Sequence, residues 1–257
     1  MKRFDGLTVL VTGACGGFGS RAAARFAAEG ARLVLSDISP EPLETLAASL
    51  EAETATLAGD IARESLSENL VKLALEKFGR LDIAVNNAGI AQNFVKLPLI
   101  PSEEARRILE VDLLGVFYAM KHQLPVMERQ HREGSRGGAI VNIASVAGIA
   151  GAPRLAAYAA AKHGVVGLTR SAAAEYATKG IRVNAVCPSF ARTAMVTGTL
   201  KLAPDNAAAE ADLTRGVPMK RLAEVEEIVE VILFAADPKN SFMTGQTLAA
   251  DGGITAI

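Results

Sequence analysis

An apolar run, a glycine-rich loop and an alanine-rich helical pattern follow one another directly at the start of the chain. Residues 7–11 (LTVLV) predict a strand buried on both faces, and residues 12–19 (TGACGGFG) form the loop. The helical pattern spans residues 20–29 and stops at Gly30. Glycines allow close backbone approach and a helix N-terminus offers free amides, so this order predicts a site for the phosphates of a cofactor.

The glycine spacing narrows the class of nucleotide site. It is Gly-x-x-x-Gly-x-Gly, which departs from the Gly-x-Gly-x-x-Gly dinucleotide fingerprint. No Gly-Lys-Ser/Thr sequence occurs in the chain, which argues against a P-loop nucleotidase.

A carboxylate ends the second predicted strand, residues 32–37. Asp37 lies eighteen residues beyond Gly19, where an acidic side chain accepts hydrogen bonds from the adenosine ribose and repels a 2′-phosphate. No lysine or arginine lies in the glycine loop or directly after Asp37. This pattern favours NAD over NADP. The alternative is that Asp37 only starts a solvated turn before Ser39 and Pro40.

Strand and helix patterns alternate to the C-terminus, which is typical of a parallel sheet with helices on both faces. We predict a single α/β domain over residues 1–257, with a doubly wound, Rossmann-like sheet of about seven strands. Residues 127–138 are polar and basic and predict a solvated loop, whereas residues 194–216 predict a mobile helical insertion. The remaining strands are predicted at 55–57, 81–86, 139–144, 181–186 and 247–250, and the remaining helices at 42–51, 64–78, 103–128, 158–178 and 225–236.

Composition excludes several classes of function. The formal net charge is −1, which gives no electrostatic footprint for nucleic acid or an anionic membrane. The two cysteines, Cys15 and Cys187, make no metal-ligand or disulfide pattern, so we expect no metal and a reducing compartment. No apolar run reaches the length of a membrane span, and a cytoplasmic location is the expectation.

Tyr158 and Lys162 stand four residues apart, so a helix would place a phenol and an ammonium on one face. A unit charge roughly 4 Å away, at an effective dielectric near 20, is worth on the order of 4 kcal/mol. Such a charge would make the phenolic proton labile near neutral pH, where a general acid or base works best. Spacing alone is weak, because a snorkelling lysine beside a half-buried tyrosine gives the same pattern.

Five motifs in the same order resemble the short-chain dehydrogenase/reductase family. They are the Thr-Gly-x-x-x-Gly-x-Gly loop at 12–19, Asn-Asn-Ala-Gly at 86–89, Ser145, Tyr158-x-x-x-Lys162, and the segment 182–188 (RVNAVCP). The similarity continues through residues 244–246 and 251–253, so it covers nearly the whole chain.

The resemblance implies a role for each member of a catalytic set. Ser145 would bind the substrate oxygen at the carboxyl end of a central strand, and Tyr158 would exchange a proton with that oxygen. Lys162 would favour the tyrosine anion and bind the nicotinamide ribose, while the nicotinamide C4 gives or takes a hydride. Besides Tyr158 and Lys162, the set that we predict to contact the cofactor includes Gly13, Cys15, Gly16, Gly17, Phe18, Gly19, Asp37, Ile38, Asp60, Ile61, Asn87, Ala88, Gly89, Pro188, Phe190, Ala191 and Thr193. Asn87 would equally serve to tie neighbouring strands together.

The chain departs from the family pattern at two positions. Ser189 follows Pro188 where glycine is usual, and its side chain would narrow the nicotinamide pocket or supply a hydroxyl. Asp112 stands where the family commonly has asparagine, so we include it in the predicted catalytic set. An ionised Asp112 near Lys162 would partly cancel the field on Tyr158 and give alcohol oxidation a more alkaline optimum. The alternative is that Asp112 only caps or bonds within its own helix.

Three functional hypotheses follow. The leading one is an NAD-dependent enzyme that interconverts a secondary alcohol and a ketone; the second is an NADPH-dependent 3-oxoacyl-type carbonyl reductase. The third is a protein that binds NAD but turns over poorly. The substrate stays open among a polyol, a hydroxy acid, a cyclic alcohol and a steroid-like ketone, and Arg154 or Arg192 is a candidate for receiving a carboxylate. The resemblance also implies that residues 194–216 form a substrate lid and that the chain forms a homotetramer or homodimer.

Overall fold

Strands and helices alternate along the chain in a computed structural model, which describes residues 2–135, 137–201 and 204–256. The strands are β1 (Thr8–Thr12), β2 (Arg32–Ser36), β3 (Thr54–Thr56), β4 (Ile83–Asn86), β5 (Gly138–Ile143), β6 (Ile181–Pro188) and β7 (Thr247–Ala250). The helices are α1 (Gly17–Ala28), α2 (Pro40–Ser49), α3 (Glu64–Phe78), α4 (Ser102–Leu109), α5 (Gly115–Arg132), α6 (Ala156–Tyr176), α7 (Ala194–Lys201), α8 (Asn206–Leu213) and α9 (Val225–Ala236).

The strands form one parallel sheet in the order β3-β2-β1-β4-β5-β6-β7, which confirms the predicted fold class. The chain moves outward from β1 to β3 and then returns to place β4 on the other side of β1. Ligands of such sheets bind at the carboxyl ends of the strands, where the order reverses. That point lies between β1 and β4.

The strands consist mostly of apolar residues because helices cover both faces of the sheet. Val9 and Val11 point into one core with residues of α1 and α9, whereas Leu10 points into a second core with residues of α3, α5 and α6. Alternate side chains of one strand therefore enter different cores, as the period of a strand requires.

Elements with strong local start and stop signals lie where the sequence predicted them. Helix α3 ends at Gly79, which adopts a left-handed conformation with a φ of 73°. Helix α9 begins with a capping box between Glu224 and Glu227. The predicted bounds 64–78, 225–236 and 247–250 agree with the observed ones.

Two local predictions differ from the structure. Residues 103–128 are helical as predicted, but a π-helical segment, Glu110–Leu114, separates α4 from α5. The loop predicted over 127–138 is helical as far as Arg132, because Met127 and Gln130 are buried on α5. Gln130 accepts a hydrogen bond from Leu81 N and donates one to Leu81 O, each at 2.8 Å. A polar residue with two backbone partners therefore belongs to the core here.

The described part of the chain includes no helix that is long and apolar enough to span a bilayer.

Candidate active site

The glycine loop after β1 is shaped by close backbone contact with the turn after β4. Gly13 has a φ of 61°, and a Cβ atom on it would lie 2.8 Å from Ala88 Cα. A Cβ atom on Gly19 would lie 2.1 Å from Gly13 O. Only glycine fits at these positions, and the loop leads directly into the N-terminus of α1. The loop therefore fits the diphosphate of a dinucleotide.

Asn87, which follows β4, forms hydrogen bonds to the end of β1 and to the glycine loop. Its Nδ2 donates to Thr12 O at 3.1 Å and to Gly13 O at 2.9 Å, and its main-chain N–H donates to Thr12 Oγ1. The structural role left open from the sequence is thus present, and it fixes the glycine loop against the Asn87–Gly89 turn. Gly89 continues this turn, and a Cβ atom on it would lie 3.4 Å from Lys162 Nζ. One turn thus reaches from the glycine loop to Lys162.

Asp37 lies against the glycine loop. One carboxylate oxygen accepts a hydrogen bond from Cys15 N at 2.8 Å, and the other accepts one from Ile38 N at 2.8 Å. Burial and the nearby Asp37 carboxylate raise the pKa of the Cys15 thiol to about 11, so the thiol is neutral at physiological pH. A cavity of about 490 Å³ adjoins this corner; it is lined by Cys15, Ser20, Glu41, Pro42, Thr45, Leu46 and Ser49.

Asp60 and Ile61, which we predicted to contact the cofactor, are engaged in protein contacts. Asp60 forms an ion pair of 2.9 Å with Arg107 and accepts a hydrogen bond from Ala62 N. Ile61 is 8 % exposed and packs in the core beside Gly115. In the neighbouring loop, which follows β2, the side chain of Ile38 is 62 % exposed.

The segment after β6 lies next to the glycine loop. A Cβ atom on Gly17 would lie 2.8 Å from the methyl group of Thr193. Ala191 is buried and forms a bridge with Ala223, while Ser189 N donates to Ala250 O. These contacts set the course of the chain from Pro188, the last residue of β6, through Phe190 to α7.

Ser145 follows the carboxyl end of β5, as predicted. Its Oγ accepts a hydrogen bond from Ala147 N at 3.1 Å and lies 3.5 Å from Pro188 O. Cys187 lies behind it, and burial raises the pKa of the Cys187 thiol to about 11. The serine hydroxyl is therefore held between β5 and β6, beside a neutral thiol.

Tyr158 and Lys162 share one face of α6. Lys162 Nζ lies 5.4 Å from the centroid of the Tyr158 ring and donates to Ile143 O at 3.1 Å. Lys162 is 4 % exposed, so its charge acts in a poorly solvated environment. Because Ile143 precedes Ser145 by two residues, the contact brings the tyrosine, the lysine and the serine to the same sheet edge.

Asp112 is fully buried in the π-helical segment and forms an ion pair with Lys162. Its Oδ1 accepts a hydrogen bond from Ile90 N at 2.8 Å, and its Oδ2 lies 3.3 Å from Lys162 Nζ. The alternative that Asp112 bonds only within its own helix is wrong, since both partners belong to other segments. Burial raises the pKa of Asp112, and the Lys162 charge opposes that rise. Burial lowers the pKa of Lys162, but Asp112, together with Tyr158 and Cys187, raises it, and the net result is a raised pKa.

Sequence reasoning missed two sets of polar contacts below the site. Asn86, Gln123 and Asn142 form a buried amide network, in which Asn142 Nδ2 donates to Thr169 Oγ1 at 3.0 Å. Gln92 accepts a hydrogen bond from Tyr158 N at 3.0 Å. No local sequence pattern reveals this contact, because the two residues are sixty-six positions apart.

The family comparison agrees with this geometry. A family model described as enoyl-(acyl carrier protein) reductase matches residues 13–255. An uncharacterized oxidoreductase of Thermotoga maritima is 41% identical over 99% of both chains. A 2,5-dichloro-2,5-cyclohexadiene-1,4-diol dehydrogenase of Sphingobium indicum is 40% identical over 100% of both chains. A cyclohexanol dehydrogenase of Acinetobacter sp. is 35% identical over 99% of this chain and 97% of its own.

Solved structures give the same result. The crystal structure of levodione reductase has a TM-score of 0.92 and 39% identity, and the match covers 99% of both chains. The structure of ElxO with NADP bound has a TM-score of 0.90 and 30% identity, over 98% of this chain and 99% of that one. The chain belongs to the short-chain dehydrogenase/reductase family and is an oxidoreductase that acts on CH–OH groups with a nicotinamide cofactor.

Proposed function

We propose that this protein is an NAD-dependent enzyme that interconverts a cyclic secondary alcohol and its ketone. The observation that carries the proposal is the meeting of Ser145, Tyr158 and Lys162 at the carboxyl edge of the sheet, beside the glycine loop. The bound nicotinamide supplies the carbon that accepts or donates the hydride.

The protein side chains handle the proton and the substrate oxygen. The Ser145 hydroxyl donates a hydrogen bond to that oxygen, and the Tyr158 phenol takes its proton during oxidation or returns it during reduction. Lys162 keeps its charge near the Tyr158 ring and thereby favours the tyrosine anion. Residues 87–89, which adjoin both the glycine loop and Lys162, are well placed for the sugar between the two ends of the dinucleotide.

The preference for NAD rests on charge around Asp37. The carboxylate lies against the glycine loop through Cys15 N, and the adjoining cavity has Glu41 and no cationic side chain among its lining residues. Two carboxylates near the adenosine ribose would repel the 2′-phosphate of NADP. ElxO binds NADP, but the arrangement in this chain supports NAD.

The proposed substrate class rests on the names of the relatives and on the contacts that two arginine side chains make within the protein. The dichlorocyclohexadienediol and cyclohexanol dehydrogenases both act on six-membered carbocycles by name. Arg192 is held by Glu210 and Glu224, at 2.6 Å and 3.1 Å. Arg154 donates to Phe94 O at 2.7 Å. With both guanidinium groups engaged, the site suits an uncharged ring better than a carboxylate.

The lid over the substrate belongs to the same proposal. Residues 194–216 hold α7 and α8, and residues 202 and 203 between them lie outside the described part of the chain. Arg192, in the segment after β6, pairs with Glu210 on α8, which supports a role for α8 in closing the site.

Assembly and location are also proposals. Leu109, Leu114 and Phe117 are exposed around the π-helical segment, and the exposed face of α6 carries Ala160 and Gly167. Apolar and small residues of this kind suit close packing between subunits of a homotetramer or homodimer, which sedimentation velocity would test. The two free cysteines suit the reducing cytoplasm.

The test is initial-rate turnover of cyclohexanol, of 4-hydroxycyclohexanecarboxylate and of the open-chain hexan-2-ol, each with NAD⁺ and with NADP⁺. We expect the highest kcat/KM for cyclohexanol with NAD⁺, and NADH formation reports it. Faster oxidation of the open-chain alcohol, or faster reaction with NADP⁺, would contradict the proposal.

The 3-oxoacyl-type reductase is a weaker candidate. A 3-oxoacyl-[acyl-carrier-protein] reductase of Thermotoga maritima is 38% identical to this chain, which keeps that chemistry in the same family. NADPH-dependent reduction of an acetoacetyl thioester that outpaces cyclohexanol oxidation would select it. Nucleotide binding without turnover of any substrate would instead select the weakly active NAD-binding protein.

A further inference from the structure

Helix α6 begins without a cap from its own sequence. Leu155 occupies the N-cap position, and its side chain makes no capping hydrogen bond. The first amides of a helix lack acceptors within the helix, and Tyr158 N–H is one of them. Gln92 supplies the missing acceptor through its Oε1, 3.0 Å from Tyr158 N. The backbone of the proposed general acid is therefore held by a side chain from another loop.

The other end of the Gln92 amide ties down the loop that precedes α6. Nε2 donates to Arg154 O at 3.3 Å and to Asn93 O at 3.4 Å. Arg154 has a φ of 72°, a strained conformation for a residue with a side chain. Its carbonyl also accepts from Val95 N at 3.1 Å, and its guanidinium donates to Phe94 O. Gln92 thus lies at the centre of a closed set of contacts joining residues 92–95 to residues 154–158.

Burial makes this arrangement stiff. Gln92 is 4 % exposed, and both of its polar atoms have protein partners. An unpaired polar atom at this depth is costly, so Gln92 has little freedom to rotate away. A side chain that cannot move keeps the first turn of α6 in one position.

We propose that Gln92 is a positioning residue for catalysis: it fixes the first turn of α6 so that the Tyr158 phenol meets the substrate oxygen. The proposal rests on the proposed role of Tyr158 as the general acid and base. A displacement of about 1 Å at a reacting group costs up to about 100-fold in rate. Gln92 can therefore affect kcat by holding the first turn of α6 in place.

Gln130 provides a matched control. It is also a buried glutamine whose amide bridges a backbone N–H and a backbone carbonyl, both of Leu81. Leu81 precedes β4, so Gln130 lies at the amino edge of the sheet, opposite the proposed site. Gln92→Met and Gln130→Met therefore make the same chemical change in the same kind of environment.

The experiment compares both variants with the unmodified protein, using cyclohexanol and NAD⁺. We expect Gln92→Met to lower kcat by about 10- to 100-fold. The dissociation constant of NADH, measured by fluorescence, should stay within about twofold, since the hydrogen bonds of Gln92 go to Asn93, Arg154 and Tyr158 and not to the glycine loop. Gln130→Met should lose thermal stability while its kcat stays within about twofold. Equal kcat values for the two variants would overturn the proposal.

Gln92→Glu separates positioning from stability. A carboxylate retains an acceptor for Tyr158 N–H, but its second oxygen faces the carbonyls of Asn93 and Arg154. We expect a faster enzyme than Gln92→Met that is no more stable than Gln92→Met. A Gln92→Glu rate no higher than that of Gln92→Met would mean that the hydrogen bond to Tyr158 does not set the rate.

Two further measurements keep the test decisive. If Gln92→Met does not fold, Gln92→Asn carries the same expectation, because its amide is one methylene too short to reach Tyr158 N. Tyr158→Phe is measured alongside. An active Tyr158→Phe enzyme would refute the proposed function itself, whereas an inactive one beside a fully active Gln92→Met enzyme would refute only the role of Gln92.

Discussion

The glycine loop and helix α6 are positioned by different kinds of contact. The glycine loop is held by backbone atoms, since Gly13 packs against Ala88 Cα and Asn87 bonds to backbone carbonyls. Helix α6 is held by buried side chains, with Asp112 on Lys162 and Gln92 on the Tyr158 backbone. The backbone contacts of the loop tolerate only glycine at the contact positions. The side-chain contacts around α6 can be altered one group at a time by single substitutions.

This difference predicts how each region responds to substitution. A change in the loop should affect nucleotide binding and stability together. A change around α6 should affect the rate and its pH dependence, with nucleotide binding preserved.

The largest effect is expected for Tyr158→Phe. Removing the phenolic oxygen leaves the ring and its contact with Lys162 in place, so the fold and NADH binding should be unchanged. The rate should fall about 1,000-fold, within the range of about 10² to 10⁴ for general acid–base catalysis. Steady-state oxidation of cyclohexanol measures it. Tyr176→Phe, at the other end of the same helix, makes the same change and should keep full activity.

A smaller loss is expected for Gly13→Ala, and it should fall on binding. The alanine methyl would collide with Ala88 Cα, so the loop must shift, and each tenfold in affinity corresponds to about 1.4 kcal/mol. We expect about 100-fold weaker NADH binding by fluorescence titration. Gly6→Ala is the control, because Gly6 also has a positive φ, of 69°, but open space around it. It should cost about 1–2 kcal/mol of stability and leave binding intact.

The comparison also shows which parts could be predicted from sequence. The backbone-held region depends on glycines at fixed positions in short motifs, so its location and its glycines were evident. The contacts of Asp112 with Ile90 and of Gln92 with Tyr158 join residues far apart in sequence, and they became evident only in the fold. The prediction of a loop over 127–138 failed for the same reason. Gln130 is buried because it hydrogen-bonds to Leu81, which is also far away in the sequence.

Asp37→Asn should alter cofactor choice without abolishing binding. The amide keeps an oxygen for the Cys15 or the Ile38 N–H but removes the charge that repels a 2′-phosphate. A repulsion of about 1.4 kcal/mol is a factor of about ten, so the ratio of kcat/KM for NAD⁺ to that for NADP⁺ should fall about tenfold. Glu44→Gln, which removes a charge from the exposed side of α2, should leave the ratio unchanged.

The smallest effect concerns the buried Asp112 carboxylate and appears only in the pH profile. An ionised Asp112 opposes the field of Lys162 on Tyr158, so Asp112→Asn should make the phenolic proton easier to remove. The same carboxylate raises the pKa of Lys162 against the effect of burial, so without it the lysine should lose its proton at lower pH. The first change moves the rise of the rate with pH to lower pH. The second moves the fall at high pH, where Lys162 loses the charge that favours the tyrosine anion, to lower pH as well. The optimum of cyclohexanol oxidation should move to lower pH, by less than about one unit.

Asp82→Asn distinguishes this electrostatic effect from a general disturbance of the core. Asp82 is 5 % exposed, accepts a hydrogen bond from Thr8 N at 2.9 Å and pairs with Arg80 at 2.7 Å. It therefore resembles Asp112 as a buried carboxylate with a cation and a backbone partner, but it precedes β4 at the amino edge of the sheet. Its replacement should lower stability and leave the optimum where it is. If the two variants have the same optimum, Asp112 does not influence the proton on Tyr158, and the π-helical segment serves only to close the core.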